Sequence, residues 1–425
     1  MPNPYCVRTV RFSSGERFPV LIDTRIGAPL FDPTVYTLNQ LRGRNRAVNT
    51  IEHSLRHIMV LKLFLEQRGI DLESRFHDGR ILALAEIESL ANACCLRLPD
   101  LLAVASEGAG AKRRRIASSE RLRQLSFNVM SKAVDAASAA NRVRTIADYL
   151  SWMVKRHLLK LSASNSSFLA LEAAQKMVKE TLLARAPQHR SRRFLGAREG
   201  LPSETVARLA AVTAKDSPDN PWVGEFVRLR NELLFRWLSS FGLRRGELLN
   251  VKVSDIDFRN ETVTIARRAD APEDPRKDQP VVKTRDRVLP IPPALCQLTH
   301  DYVVYARHRS VGARKHEYLF VADKTGEPMS LSALNKCFAF LRTRIPDLPE
   351  DFSPHVLRHT WNDNFSVAMD RMKTPEADEQ KMRSFLMGWS ETSGTAANYT
   401  RRHVRQRANE VSLQLQTLVA NTDKI

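Results

Sequence analysis

From Asn49 onward, apolar residues recur at three- and four-residue spacing through IEHSLRHIMVLKLFLEQRGI, the period of a helix with one buried face, and the pattern stops at Gly69. The same period returns over Asp78 to Leu96, Ser118 to Ala140 and Arg142 to Leu161, so residues 46–186 are expected to form a small all-helical domain. The start of the chain reads differently. Tyr5 to Phe12 and Phe18 to Ile22 are short β-like runs among Pro and Gly, which predicts an arm or accessory segment over residues 1–45. A Pro- and Gly-containing stretch, PQHRSRRFLGAR, predicts a linker over 187–201, and a helical start at Ser203 opens a further domain over 202–425. In that domain Glu225 to Phe241 is a strongly apolar helix. Val251 to Phe258, Thr262 to Arg267 and Val281 to Ile291 have strand character, and the rest from Pro292 is largely helical apart from YLFVAD at Tyr318 to Asp323. The expected class is mainly α with a small antiparallel β-sheet, and no internal repeat is visible.

Charge changes the picture. The 425 residues carry 66 Lys and Arg against 47 Asp and Glu, a formal net charge of +19. Such an excess is the footprint of a polyanion binder, because each neutralised phosphate releases condensed counterions. Nucleic acid is the expected partner, with extra charge carried for solubility as the alternative. Two basic runs are candidates for phosphate contact: Lys112, Arg113, Arg114 and Arg115 in a Gly-flanked loop, and Arg190, Arg192 and Arg193 in the linker. Solvation alone would also account for such runs. The five cysteines show no C-x-x-C or Cys/His ligand spacing, so neither a disulfide framework nor a metal site is indicated. No apolar run approaches the ~18 residues of a membrane span. With no signal-like apolar core at the amino terminus, a cytoplasmic, nucleoid-associated protein is expected.

Four local constellations carry candidate chemistry. FGLRRGELL places Arg244 three residues before Glu247, and VVKTRDRVLPIP puts Lys283 in a strand–turn–strand fragment. SPHVLRHTW sets His355 and Arg358 on one helix face, and FLMGWSETSGTAANYTRRH has Trp389 after Gly388 with Tyr399 ten residues on. Each alone has a bland reading, such as a surface Arg–Glu pair or a solvated hairpin lysine. Together they suit one reaction. Attack on a phosphodiester gathers negative charge on the non-bridging oxygens, which the fixed guanidinium groups of Arg244 and Arg358 would stabilise without a metal. A tyrosine hydroxyl costs about 4 kcal/mol to ionise at pH 7, so Tyr399 needs cationic neighbours to become a nucleophile. Lys283 is a candidate general acid for the departing sugar oxygen, and His355 a candidate proton acceptor or phosphate-orienting group.

In this set and order the residues resemble the tyrosine recombinase, or phage integrase, family, over about Pro202 to Ala420 and more loosely over Asn49 to Leu161. Arg244, Lys283, His355, Arg358, Trp389 and Tyr399 match the family's pattern, with Glu247 in the supporting acidic position. The resemblance implies a helical core-binding domain and a mixed catalytic domain that clamp a duplex. It implies site-specific cleavage and rejoining through a 3′-phosphotyrosyl bond, with Lys283 protonating the released 5′-hydroxyl and no cofactor, ATP or divalent metal. It also implies a homotetramer on synapsed DNA sites. Trp389 stands where most members have His, and the stretch Arg267 to Pro280 lengthens the hairpin, which leaves Lys277 as a competitor for the lysine role. A final helix over about Arg402 to Leu418, with Val404, Val411, Leu413, Leu415 and Leu418, is expected to dock on its own domain or on a neighbour. A type IB-like topoisomerase and a catalytically silent DNA-binding regulator are the alternative readings.

Overall fold

The computed structural model describes residues 3–108, 133–161, 166–188, 200–280, 282, 284–390, 408 and 411–416. They fall into two compact units, one in the amino-terminal and one in the carboxy-terminal half.

In the first unit, β1 (Tyr5–Arg11) and β2 (Arg17–Asp23) form an antiparallel hairpin in register from Tyr5 opposite Asp23 to Arg11 opposite Arg17, and β3 (Ala28–Pro29) adds a short third strand. The α-helices that follow among the described residues are α1 (Phe31–Tyr36), α2 (Val48–Gln67), α3 (Leu72–His77), α4 (Leu84–Cys95), α5 (Leu98–Gly108), α6 (Ala136–Leu158) and α7 (Ser166–Ala184). The first 45 residues do not stand apart as an arm. Tyr5, Leu21, Tyr36 and Leu41 share one core with Leu55, Ile58 and Leu61 of α2 and with Val143, Ile146 and Leu150 of α6. The helix expected over Asp78 to Leu96 begins only at Leu84, because the Glu86 carboxylate reaches back to accept from the Ala83 N–H at 2.8 Å and fixes the start there.

The second unit contains α8 (Ser203–Thr213), α9 (Glu225–Phe241), α10 (Arg245–Leu248), α11 (Pro293–Asp301), α12 (Leu331–Arg344), α13 (Pro354–Arg371) and α14 (Glu376–Met387). Its sheet has the order β4 (Ile256–Asp257), β5 (Thr262–Ile265), β6 (Arg287–Pro290), all antiparallel. These strands are shorter than the sequence pattern predicts. The β5–β6 ladder closes at Ile265 opposite Arg287; beyond it the Arg267 N–H donates to the Asp286 carboxylate at 2.6 Å and Arg268 turns away to pair with Asp255. YLFVAD forms no strand, only single bridges from Lys252 to Tyr318 and from Val321 to Pro328.

The lengthened stretch Arg267 to Pro280 is pinned by a buried ion pair. Arg276 binds Asp274 through two nitrogens at 2.9 and 2.8 Å, donates to the Leu249 and Met329 carbonyls at 2.8 and 3.1 Å, and lies over the Tyr318 ring at 4.3 Å. Lys277, beside it, is exposed. The class is thus mainly α with small antiparallel sheets, as expected.

Candidate active site and a basic groove

The site grows from the end of α9. Gly242 caps that helix in the left-handed conformation (φ 58°), and a Cβ there would meet the Trp361 side chain at 2.9 Å, so the turn packs against α13 only because this residue is glycine. The chain then turns through buried Leu243 into α10, which carries Glu247 inward with a fully buried carboxylate.

A buried carboxylate is tolerable only when it is paired and hydrogen-bonded, and this one is bonded on both oxygens. Oε1 accepts from the Thr284 hydroxyl at 2.6 Å and from Arg244 Nη1 at 3.4 Å. Oε2 accepts from the Arg244 backbone N–H at 2.9 Å and from Arg287 Nη2 at 3.1 Å, and Arg358 Nη1 lies 3.7 Å away. Burial works to raise the Glu247 pKa, but the Arg287 and Arg358 charges and these donors outweigh it and hold the carboxyl below its ordinary range.

Three arginines therefore converge on one carboxylate in unlike environments. Arg358 and Arg287 are buried, whereas the Arg244 side chain keeps 32% of its surface, so its guanidinium reaches solvent. Arg358 also donates to the Gly242 carbonyl at 2.7 Å and sits over the Trp389 ring at 5.3 Å. On the same helix His355 is exposed, with its ring 4.5 Å from that of His359 in an edge-to-face pair.

Trp389 lies just past the left-handed cap of α14 at Gly388 and packs with Met387 and Trp361. Gly388 is as constrained as Gly242: a Cβ there would meet the Arg285 carbonyl and Arg287 Nη1, both at 2.8 Å. The Arg285 N–H donates to the Gly388 carbonyl at 2.9 Å, and Arg287 Nε donates to the Leu386 carbonyl at 2.7 Å, tying the end of α14 to the start of β6.

Of the residues singled out from sequence, the structure brings together Arg244, Glu247, Arg358 and Trp389 and puts His355 on the helix that bears Arg358. Lys283 and Tyr399 lie outside the described residues, as do Lys112 to Arg115, Arg190, Arg192 and Arg193, and most of the expected final helix. Val411, Leu413 and Leu415, which are described, are exposed. Sequence reading passed over Thr284 and Arg287. A signal for Arg287 existed: it occupies the inward phase of β6 with Leu289, while Val288 between them faces out.

The first unit offers a different cationic feature, which the basic runs did not reveal. A groove of about 1200 Å³ is lined by the segment after α1 and by α2 and α6, with Arg44, Arg46, Arg144 and Lys155 exposed along it and Trp152 in its wall. Among the described residues no carboxylate pairs with any of these four cations; Arg44 and Arg144 bond only to the amide oxygens of Gln40 and Asn141, both at 3.0 Å. His57 also lines the groove, its ring nitrogen 3.0 Å from the Thr145 hydroxyl, and burial with neighbouring Arg142 pushes its pKa down to about 4.

Against known proteins, residues 201–405, just under half of the chain, match the phage integrase family model. Over 135 residues the chain is 24% identical to transposase A from transposon Tn554 of Staphylococcus aureus, covering 31% of this chain and 34% of that protein. Over 133 residues it is 23% identical to the tyrosine recombinase XerD of Halalkalibacterium halodurans, covering 31% and 39%. The chain thus spans little more than a third of the length of these curated relatives. Among solved structures, the Tn1549 transposon integrase in complex with transposon right end DNA aligns at 13% identity over 90% of this chain and 100% of that one, with a TM-score of 0.48.

Proposed function

Because the chain belongs, through residues 201–405, to the phage integrase family of tyrosine recombinases, we propose that it cuts and rejoins DNA at specific sites through a covalent bond to Tyr399. The observation that carries this reading is the convergence of Arg244 and Arg358 on the buried Glu247 carboxylate, which fixes two guanidinium groups in place before any substrate arrives.

In the proposed reaction the scissile phosphate binds against Arg244, with Arg358 adding positive charge from below. The Tyr399 oxygen attacks phosphorus as the bond to the 5′-oxygen breaks, His355 takes or relays the phenolic proton, and Lys283 protonates the leaving oxygen. The products are a 3′-phosphotyrosyl link and a 5′-hydroxyl, and the reverse attack by a new 5′-hydroxyl rejoins the strand. Trp389 supports Arg358 from its ring face, which suits packing in place of proton transfer at that position. The groove of the first unit, with its four exposed cations, supports duplex binding along the phosphate backbone. Strand exchange between two sites calls for a tetramer of protomers on synapsed DNA.

The test is to mix the protein with DNA of its source, denature in detergent and sequence the DNA that stays attached, for wild type and Tyr399→Phe. Adducts at a defined sequence from wild type alone support the recombinase. Adducts without sequence preference favour a topoisomerase, and none from either protein favours a silent DNA-binding protein.

A further inference from the structure

Glu247 is held by more than the two arginines it serves. The Thr284 hydroxyl lies between partners: it donates to Glu247 Oε1 at 2.6 Å and accepts from Arg287 Nη1 at 3.2 Å. Arg287 then closes the ring by donating Nη2 to Glu247 Oε2 at 3.1 Å. Thr284 and Arg287 are both buried, so neither is placed to touch a DNA phosphate.

We propose that Thr284 and Arg287 are positioning residues that orient the Glu247 carboxylate and, through it, Arg244 and Arg358 for the scissile phosphate. The inference rests on the recombinase reading above. Its physical basis is that a carboxylate with one oxygen released can rotate about its terminal torsion, where wells are broad. Thr284 and Arg287 bond Oε1 and Oε2 respectively, while Arg244 bonds Oε2 through its backbone N–H and Oε1 through its guanidinium. Without the Thr284 hydroxyl, Oε1 would keep only its 3.4 Å bond to the partly exposed Arg244 guanidinium. The Arg287 bond to the Leu386 carbonyl extends the same ring to the end of α14, so the carboxylate is referenced to the segment that leads to Trp389.

The experiment uses the full chain and a synthetic duplex carrying the sequence recovered in wild-type adducts. The duplex is made in three forms: an ordinary phosphodiester, a charge-neutral methylphosphonate, and a 5′-bridging phosphorothiolate at the cleaved position. A neutral phosphoryl group asks little of the arginines, and a sulfur leaving group asks little of the general acid. Thr284→Val is nearly isosteric and Thr284→Ser keeps the hydroxyl; thermal melting of each establishes that it is folded.

The expected result is that Thr284→Val slows adduct formation on the phosphodiester by about a hundredfold, has little effect on the methylphosphonate, and is restored by Thr284→Ser. Arg287→Gln, where folded, should show the same split. Equal slowing on all three duplexes would mean general damage and would overturn the inference. So would rescue by the phosphorothiolate alone, which would place the effect on the neighbouring Lys283. Adducts on the phosphodiester that persist in Tyr399→Phe would instead overturn the recombinase reading, and the inference with it.

Discussion

The two cationic regions use the same side chain in opposite ways. Along the groove of the first unit, Arg44, Arg46 and Arg144 are exposed and bonded at most to neutral amides, free to follow a phosphate backbone wherever it lies. In the second unit Arg358 and Arg287 are buried, and one carboxylate, two backbone carbonyls and a threonine hydroxyl hold them in place. Exposed cations bind a polyanion through counterion release, which needs number more than geometry and is screened over about 10 Å at 0.1 M salt. In the proposed reaction a held cation such as Arg358 would serve a transition state, which needs geometry more than number. The net charge of +19 therefore points to the first function and says nothing of the second.

The comparison breaks most sharply in single-turnover cleavage. Arg358→Ala is expected to lower the rate by about a thousandfold, whereas Arg144→Ala should change it by no more than a few-fold once DNA is saturating. Comparable losses from both would erase the distinction. Next in size is stability: Glu247→Gln leaves Arg287 and Arg358 buried beside a neutral group and should cost the second unit on the order of 3 kcal/mol in denaturant unfolding. Arg44→Gln should stay within about 0.5 kcal/mol.

A third contrast lies in salt dependence. Replacing Arg44, Arg46, Arg144 and Lys155 together with Gln should reduce the slope of log K against log salt by about 3 to 4, while Thr284→Val should leave that slope unchanged. The smallest effect concerns His57, with its folded pKa of about 4. Its unfolded pKa near 6.5 is higher, so the unfolded chain takes the proton first. The contribution is therefore present above about pH 6.5 and is lost as pH falls toward 4. His57→Gln should remove acid sensitivity on the order of 2 kcal/mol from the first unit, read as melting temperature between pH 7 and 4; an unchanged profile would count against the buried neutral imidazole.

Much of this was legible in the sequence where apolar period and a stop signal coincide. The helix expected over Glu225 to Phe241 is the one observed, closed by the glycine that its left-handed cap requires. The two β-like runs at the start are a hairpin, but their place in the helical core was hidden because a strand of continuous burial, RFPVLID, does not say what covers it. Arg244, Glu247 and Arg358 announced themselves by spacing within motifs. Thr284 and Arg287 did not, because their importance comes from meeting Glu247 across 37 and 40 residues, and no local pattern encodes that meeting. The groove was missed for a related reason. Its cations are single residues on separate elements, so a search for basic runs passes over them.

Arg276 carries a kinetic consequence. Its guanidinium joins the carbonyls of Leu249 and Met329, which lie 27 and 53 residues away along the chain, and it can make both bonds only after those segments have come to rest. Such a clasp is expected to form late and to be scarcely present at the folding barrier, so its strength should be expressed in how slowly the native state opens. In stopped-flow chevrons, Arg276→Met would then steepen the loss of the folded form while leaving the rate of its recovery nearly untouched. The stretch that lengthens the hairpin would be a brake on unfolding, set in place after the rest of the unit has been built.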